Sequence, residues 1–491
     1  MGTDAYGQIG ELAKEVSLLS SMGSLLSWDQ EIFLPKHGLP FRAEQQAYLS
    51  GTSHRLWTDP KTGEMIEEAL SQVDHGSDEE VNLVRWKRDF ERASCLPVEL
   101  VEKSAREEAK AHEAWKSARE ANQFSMFSES LETLIEIAKE KANHWGYEDS
   151  PYDALLEIYE PGLKVRDLNP LFGQVASELT SICEKAFRQE QPEPLPPGPY
   201  PLEKQKELNR KVAEAVGFDF ERGRMDVSVH PFSSGMGPHD NRITTRYDEA
   251  DFTSSLSAIL HEAGHGMYEQ GLNPDAFATP LGESVSLGIH ESQSRFWENQ
   301  IGRSEAFWQS WYPTILEYFP SLQGYGPEKL AAFVNQVQRS FIRVDASEIG
   351  YDLHVILRFE VEEKIFSGEL KVDEVPIFWN DRFKEMIGLE VPDDAHGCLQ
   401  DIHWSMGGFG YFPTYTLGSI NAAMLYEAVT HELGDLAPYV AKQDYAPIQN
   451  FLKEKIHRQG RRYLPNELIE FATGSKQSAR PMLNYFAKKV G

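Results

Sequence analysis

Apolar residues recur at helical spacing through most of this 491-residue chain. One run of positions that share a single helix face is Phe127, Leu131, Leu134, Ile135 and Ala138. A second run is Ile349, Leu353, Ile356, Leu357 and Phe366. Gly146 and Gly368 lie just beyond these runs, where glycine commonly ends a helix. The segment from Ala5 to about Glu140 also predicts a succession of charged amphipathic helices, so the predicted fold is mainly α.

Three segments interrupt the helical pattern. Met225–His230 and Arg242–Tyr247 are short and partly β-branched, with a link rich in glycine and serine between them. They predict a small β element. The residues from 192 to 201 are rich in proline, which cannot continue a helix. This third segment is predicted to be an extended surface connection between helical bodies.

The charge of the chain argues mainly against certain classes of binding partner. The chain has 48 Lys and Arg against 77 Asp and Glu, which gives a formal net charge of −29. Such a charge repels nucleic acid and anionic lipid, and it either favours peptides that carry basic groups or serves solubility alone. We therefore expect neither a nucleic-acid partner nor a membrane partner.

The cysteines and the N-terminus bear on the compartment. Cys95, Cys183 and Cys398 are far apart and odd in number, which argues against a disulfide framework. The first residues show no basic segment followed by an apolar run, and no apolar stretch reaches the ~18–20 residues that span a bilayer. The expected location is the cytoplasm.

The strongest chemical signal is the pentapeptide His261-Glu262-Ala263-Gly264-His265, which lies in a predicted helix over Phe252–Gln270. Histidines four residues apart share one helix face, so both rings can bind one tetrahedral metal ion. Glu262 then lies close enough to act as a base on a metal-bound water. The pattern predicts zinc-dependent peptide hydrolysis; the alternative is a buried helix with two incidental histidines. The candidate caps of this helix are Thr253, Ser254 and Ser255.

A catalytic zinc ion keeps three protein ligands and one open position, so a third ligand must follow downstream. Glu283, His290 and Glu291 are the candidates, because Leu281–Asn299 is a plausible second helix. A carboxylate is a common third ligand, but the spacing alone does not choose among the three residues.

The segment from Gln400 to Tyr415 is rich in glycine and aromatic residues. Glycine lets a backbone approach a ligand closely. The His and Tyr side chains can donate hydrogen bonds to the oxyanion that develops when water attacks a peptide carbonyl. The same composition also suits a loop that only packs aromatic rings, and the sequence leaves both interpretations open.

Short motifs along nearly the whole chain resemble those of the carboxypeptidase Taq family of metallocarboxypeptidases. In the first half they are Ser27-Trp28-Asp29-Gln30 with Pro35, Arg42 and Gln45, then Pro151-Tyr152-Asp153-Ala154-Leu155 and Tyr159-Glu160-Pro161-Gly162. In the second half they are His230-Pro231-Phe232, Asp240-Asn241-Arg242-Ile243-Thr244, the pentapeptide, His290-Glu291-Ser292-Gln293-Ser294-Arg295, Ile356-Leu357-Arg358-Phe359-Glu360 and Gly397-Cys398-Leu399-Gln400-Asp401-Ile402-His403-Trp404.

This resemblance implies a helical body similar to neurolysin and angiotensin-converting enzyme, with a deep substrate groove and the small β element beside the metal helix. It implies the release of single residues from peptides with a free C-terminus, with broad specificity, by a homodimer. The implied cofactor is Zn²⁺, for which Co²⁺ or another divalent ion can substitute. We expect one peptidase unit over 1–491, with a helical cover region at about 1–190, the Pro-rich connection at 191–201, a catalytic core at about 202–430 and C-terminal helices at 431–491.

The resemblance also assigns roles within the site. It implies that Glu291, rather than Glu283, is the third metal ligand. It further implies that His403 and Tyr415, with Tyr411 nearby, polarise the substrate carbonyl.

An exopeptidase must also bind a terminal carboxylate, for which the planar guanidinium of arginine is the best single group. Arg343 lies in a segment that resembles a family segment near the groove, and it is the expected residue, with a purely structural role as the alternative. Arg358 is the second candidate, and an ion pair with a nearby glutamate is its alternative role. Asp240 and Arg242 are expected to hold the β element together. The nearest alternative function is an endopeptidase or dipeptidase on the same metal core, and the alternative of another class is a non-catalytic acidic scaffold.

Overall fold

The computed structural model of this protein describes residues 4–491. Eight helices precede the Pro-rich connection: α1 (Ala5–Ile32), α2 (Leu39–Trp57), α3 (Pro60–Leu70), α4 (Asp78–Ser94), α5 (Val98–Ala121), α6 (Ser128–Trp145), α7 (Pro151–Tyr159) and α8 (Val165–Ala186). Residues 190–201 form neither helix nor strand.

The remaining elements follow this connection. They are α9 (Leu202–Val216), β1 (Gly223–Val227), β2 (Ser233–Gly237), β3 (Asp240–Thr245), α10 (Phe252–Gly271), α11 (Leu287–Arg295), α12 (Glu305–Tyr318), α13 (Pro327–Val334), α14 (Glu348–Ser367), α15 (Val375–Ile387), α16 (Pro413–Leu433), α17 (Ala437–Ala441), α18 (Ala446–Lys455), α19 (Pro465–Thr473) and α20 (Arg480–Val490). None of the helices in this described part of the chain combines the length and the apolar character that crossing a membrane requires.

The helices predicted from the two apolar runs are confirmed. They are α6 and α14, and both end at the glycine that the sequence indicated. Gly146 and Gly368 adopt φ values of +77° and +84°, in the left-handed region that glycine enters at no steric cost. The apolar residues of both runs are buried.

Apolar residues form a large core and a small one. The large core runs from Ala111 in α5 to Val490 in α20 and includes the helices around the functional site. Helices α1, α3 and α4 share the small core, whose members are Ala5, Ile9, Ala13, Ile66, Ala69, Leu83 and Trp86.

The β element has three strands rather than the two that were predicted. Strand β3 lies between β1, which is parallel to it, and β2, which is antiparallel. Strand β2 was not predicted because it falls in the link rich in glycine and serine and lacks β-branched residues. Strand β3 packs against α10, so the small sheet lies beside that helix as expected. Within β3, Arg242 donates two hydrogen bonds of 2.7 Å to Asp240.

Two details of the helices near the site differ from the prediction. The cap of α10 is Asp251, whose carboxylate accepts a hydrogen bond from Thr253 N at 2.8 Å, and not one of the three predicted hydroxyl residues. The helix predicted over Leu281–Asn299 begins only at Leu287, after the cap Ser286. A 3₁₀ turn over Pro280–Gly282 replaces its expected start, and a π-helical turn over Phe296–Ile301 follows its end.

Candidate active site

Two glycines allow three helices to meet closely at the site. A Cβ atom on Gly264 of α10 would lie 2.5 Å from Gln293 O and 2.6 Å from Ser294 Cα, both in the backbone of α11. A Cβ atom on Gly418 of α16 would lie 2.6 Å from Glu291 Cβ. Real Cβ atoms do not approach other atoms this closely, because carbon contacts are optimal at about 3.5–4.0 Å. The absence of side chains at these two positions therefore brings α10 and α16 against the helix that carries Glu291.

This packing places three potential metal ligands together. Glu291 Oε2 lies 3.7 Å from His261 Nε2 and 3.5 Å from His265 Nε2. The three ligand atoms all lie within 4.8 Å of one another. Ligands about 2.0 Å from a tetrahedral ion are spaced about 3.3 Å apart, so these residues fit one divalent cation.

The other two candidates for third ligand lie elsewhere. The carboxylate of Glu283 pairs with Arg461 at 2.8 Å. His290 lies behind His265, with its Nδ1 at 2.6 Å from His265 Nδ1 and its Nε2 at 2.9 Å from Glu269 Oε1.

In each of the three ligand side chains, the polar atom that points away from the other two ligands contacts a neighbouring residue. His261 Nδ1 lies 2.8 Å from Glu298 Oε2, and the partner of His265 Nδ1 is His290. Arg295 Nε donates a hydrogen bond of 2.7 Å to Glu291 Oε1. These contacts leave both Nε2 atoms and Glu291 Oε2 facing one another, which is the arrangement that neighbouring groups commonly impose on metal ligands.

The electrostatics of the site favour a cation. Burial opposes ionisation of Glu291, but Arg295 and the two histidines hold the pKa of this carboxyl well below its usual range. Burial also acts against the positive form of His261, yet Glu291 and Glu298 outweigh it and raise its pKa to about 9. Glu262 has a pKa raised to about 7, mainly by burial. The site thus contains ionised carboxylates that attract a positive charge.

Glu262 is buried beside the three ligand residues. Its Oε2 atom makes no hydrogen bond to any residue between 4 and 491. Both Glu262 and His261 line a cavity of about 590 Å³ that extends along the N-terminal half of α10. This carboxyl group thus borders the cavity, and its Oε2 atom is buried without a partner among the described residues.

Arg343 lines the same cavity, whereas Arg358 is completely buried. Arg343 donates hydrogen bonds from Nε and Nη2 to Asp401 Oδ1, at 3.0 and 2.8 Å, and from Nη1 to the Tyr351 hydroxyl at 2.7 Å. Arg358 Nε donates to the other oxygen of Asp401 at 2.6 Å. The ion pair of Arg358 is thus with an aspartate, rather than with the glutamate that the sequence suggested.

His403 and Tyr415 form a pair of neutral hydrogen-bonding groups. His403 Nε2 lies 3.2 Å from the Tyr415 hydroxyl, and the Tyr411 ring centre lies 5.4 Å from that of Tyr415. Burial lowers the pKa of His403 to about 4, so its imidazole is neutral near pH 7. Burial, together with Tyr411, raises the pKa of Tyr415 well above its usual value, so its hydroxyl stays protonated.

Sequence reasoning missed four residues that organise this site, namely Arg295, Glu298, Tyr351 and Asp401. A signal existed for the first two, because Arg295 and Glu298 follow Glu291 by four and seven residues and so share its helix face. Asp401 had no such signal, since its two arginines come from distant parts of the chain.

The chain resembles known metallopeptidases along its full length. The family model described as Carboxypeptidase Taq (M32) metallopeptidase matches residues 8–490. Thermostable carboxypeptidase 1 of Thermus thermophilus is 39% identical over 99% of this chain and 98% of that protein. Carboxypeptidase 1 of Bacillus subtilis is 36% identical over 98% of this chain and 96% of that protein.

The fold agrees with these matches. The crystal structure of M32 carboxypeptidase from Deinococcus radiodurans R1 has a TM-score of 0.97 to this structure, at 36% identity and with 99% of each chain covered. The mainly α fold predicted from the sequence is confirmed. The chain belongs to the carboxypeptidase Taq (M32) family, and it is a metallocarboxypeptidase.

Proposed function

We propose that this metallocarboxypeptidase binds one Zn²⁺ ion through His261 Nε2, His265 Nε2 and Glu291 Oε2. The spacing of these donors, 3.5 and 3.7 Å to the carboxylate oxygen, supports the proposal. Two imidazoles and one carboxylate are a ligand set that catalytic zinc sites use, and Co²⁺ or another divalent ion can substitute. When bound, the ion supplies positive charge that lowers the pKa of a water molecule and polarises the substrate carbonyl.

Glu262 acts as the general base in this proposal. Its carboxylate accepts a proton from the attacking water and, as a carboxylic acid, then donates this proton to the leaving amine nitrogen. The buried, unpaired Oε2 atom supports this role, and burial raises the pKa of the carboxyl, which favours its taking up a proton.

His403 and Tyr415 donate hydrogen bonds to the carbonyl oxygen as it gains negative charge. Both groups are neutral near pH 7, and a carbonyl oxygen that replaces their mutual contact of 3.2 Å would accept the imidazole N–H and the phenol O–H. Removing one donor of this kind typically costs about 10²–10³ in kcat. The ring of Tyr411 packs against both side chains and helps to orient them.

Arg343 binds the terminal carboxylate of the peptide, which sets the cut one residue from the end. A guanidinium has five N–H donors, and contacts to Asp401 and Tyr351 use three of those of Arg343. The others remain for a carboxylate in the cavity. Arg358 has a supporting role, because its pairing with the far oxygen of Asp401 helps to hold Arg343 in place.

The observation that carries the proposal is the convergence of His261, His265 and Glu291 beside an unpaired Glu262 carboxyl. Glu262→Gln is its direct test, because glutamine has the same shape but cannot accept the proton. We expect the variant to keep its zinc content while kcat falls by about 10²–10⁴. Turnover within about tenfold of wild type would remove Glu262 from the base role.

Peptides that differ only in their C-terminal group test the position of the cut. N-terminally blocked peptides with a free C-terminus should lose single residues in sequence, as followed by mass spectrometry. The same peptides with an amidated C-terminus should be cleaved far more slowly. Equal cleavage of both forms, or internal fragments, would favour an endopeptidase.

We also propose a homodimer that forms through the outer surface of α1 and α2. Seven large apolar residues there are exposed: Leu18, Met22, Leu25, Phe33, Leu39, Phe41 and Tyr48. Apolar residues grouped on a surface commonly mark a protein interface. Replacing Phe41 and Tyr48 with serine should convert the dimer into a monomer in analytical ultracentrifugation. Ile377→Ser is the matched control, because Ile377 is equally exposed, at 67% against 66% for Phe41, but lies on α15.

The proposed compartment is the cytoplasm. All three cysteines are free, as is usual for proteins of the reducing cytosol. Activity in the soluble cytosolic fraction of the source cell tests this assignment, and activity confined to a secreted fraction would contradict it.

A further inference from the structure

A buried carboxylate on α14 binds three donors from two other parts of the chain. Glu362 is completely buried. Its Oε1 accepts a hydrogen bond from Trp404 Nε1 at 2.8 Å, and its Oε2 accepts bonds from Gly410 N at 2.7 Å and from the Tyr152 hydroxyl at 2.6 Å. Such a polar group is retained in an apolar core only where hydrogen bonds satisfy it.

Two of the three donors, Trp404 and Gly410, are chain neighbours of His403 and Tyr411 and form the ends of the segment that links these two residues. Trp404 directly follows His403, and Gly410 directly precedes Tyr411. Gly410 has a φ of +86°, and a Cβ atom there would lie 2.9 Å from the Leu155 backbone in α7. The segment is thus held at both ends by one carboxylate, and its second end also lies tightly against a neighbouring helix.

We propose that Glu362 is a positioning residue for catalysis, which sets the place of His403 and of the Tyr411–Tyr415 turn by holding both ends of the segment from Trp404 to Gly410. This inference rests on the proposed role of His403 and Tyr415. Glu362 itself does not line the cavity beside the metal ligands. Any effect of Glu362 on catalysis must therefore act through the position of the segment from Trp404 to Gly410.

Glu362→Gln keeps the shape of the side chain but replaces one of its two acceptor oxygens with an NH₂ donor. With the amide oxygen toward Trp404, the amide NH₂ opposes the Gly410 N–H; with the oxygen toward Gly410, it opposes the Trp404 indole N–H. Either orientation leaves one end of the segment with two donors facing each other, which a buried site tolerates poorly. Tyr152→Phe is the matched control, because it removes the donor outside the segment and keeps both of its ends.

The test is steady-state kinetics of the zinc-loaded variants, with zinc affinity measured by chelator competition. We expect Glu362→Gln to lower kcat by about 10–100-fold, because small displacements of catalytic groups have effects of this size. KM and zinc affinity should stay within about threefold, and Tyr152→Phe should keep kcat within about threefold of wild type. If Glu362→Gln does not fold, Trp404→Phe removes one end of the attachment and should lower kcat in the same way.

Double variants distinguish this inference from the proposed function. If Glu362 acts through the pair, adding Glu362→Gln to a variant that lacks both donors, His403→Ala with Tyr415→Phe, should lower kcat much less than it does in the wild type. Multiplicative losses, a change confined to KM or zinc affinity, or an equal kcat loss in Tyr152→Phe would overturn the inference. Loss of kcat in Tyr415→Phe with wild-type kcat in Glu362→Gln would refute the role of Glu362 alone, whereas wild-type kcat in Tyr415→Phe would refute the proposed role of that tyrosine.

Discussion

Gly264→Ala tests whether helix packing sets the distances between the metal ligands. A Cβ atom at this position would lie 2.5 Å from Gln293 O and 2.6 Å from Ser294 Cα. Relaxation to an ordinary contact of about 3.5 Å requires α10 and α11 to separate by about 1 Å. Both atoms belong to the α11 backbone, so no flexible side chain can absorb the change.

The separation matters because α11 carries the carboxylate ligand. Metal–ligand distances tolerate deviations of only about 0.2 Å. We therefore expect zinc affinity to fall by about 10–100-fold, the range typical of changes next to metal ligands. Alanine in place of a helical glycine gains about 1 kcal/mol, but overpacking costs about 1–3 kcal/mol. A clash with backbone lies at the upper end of that range, so the metal-free protein should lose about 1–2 kcal/mol of stability.

The assay is zinc affinity by chelator competition, together with unfolding of the metal-free protein. Gly173→Ala is the matched control, because Gly173 lies on the exposed face of α8 and a Cβ atom there meets nothing within 4 Å. This control should keep its zinc affinity and gain up to about 1 kcal/mol of stability. Wild-type zinc affinity in Gly264→Ala would refute the reasoning, since the ligand distances would then not depend on this close approach.

Three further predictions concern Glu160, a buried residue that accepts a hydrogen bond from Gly288 N in α11, and two residues of the site. Burial raises the pKa of Glu160 to about 7 against the hydrogen bonds it accepts, so the native protein holds its proton more tightly than the unfolded chain does. Stability relative to Glu160→Gln should therefore fall by up to about 3 kcal/mol as the pH rises from about 4.5 through 7, and a pH-independent difference in unfolding free energy would contradict this. Arg343→Met should lower kcat/KM for peptides with a free C-terminus about 10–100-fold, because it removes charged hydrogen bonds to the terminal carboxylate. The preference for these peptides over C-terminally amidated ones should then vanish, and an unchanged preference would point to another residue. Zinc at about 100 times its Kd should stabilise the wild type by about 2.7 kcal/mol in thermal unfolding but should not stabilise Glu291→Ala, and equal stabilisation of both would remove Glu291 from the ligand set.

The helices could be predicted because their signals come from residues close together in the sequence. The run from Phe127 to Ala138 and its stop at Gly146 describe α6 closely, because apolar periodicity and a left-handed glycine act within a few residues. Strand β2 escaped prediction because its sequence Ser-Ser-Gly-Met-Gly carries no strand signal. It forms because β3 offers it an antiparallel partner, and that pairing is a tertiary contact.

The same distinction applies to the site. The two histidines of α10 could be paired from spacing alone, because four residues make about one helical turn. Glu283 and Glu291 could not be told apart in that way, since the answer depends on where α10 and α11 cross. The bridging of Arg343 and Arg358 by Asp401 joins three segments, and only the folded chain brings them together.

A crystal structure of the zinc-loaded protein, with anomalous data collected at the zinc edge, tests the central claim most directly. We predict one strong anomalous peak about 2.0–2.2 Å from His261 Nε2, His265 Nε2 and a carboxylate oxygen of Glu291. A peak bound elsewhere, for example between Glu269 and His290, or a zinc ion without Glu291 among its ligands, would contradict the account.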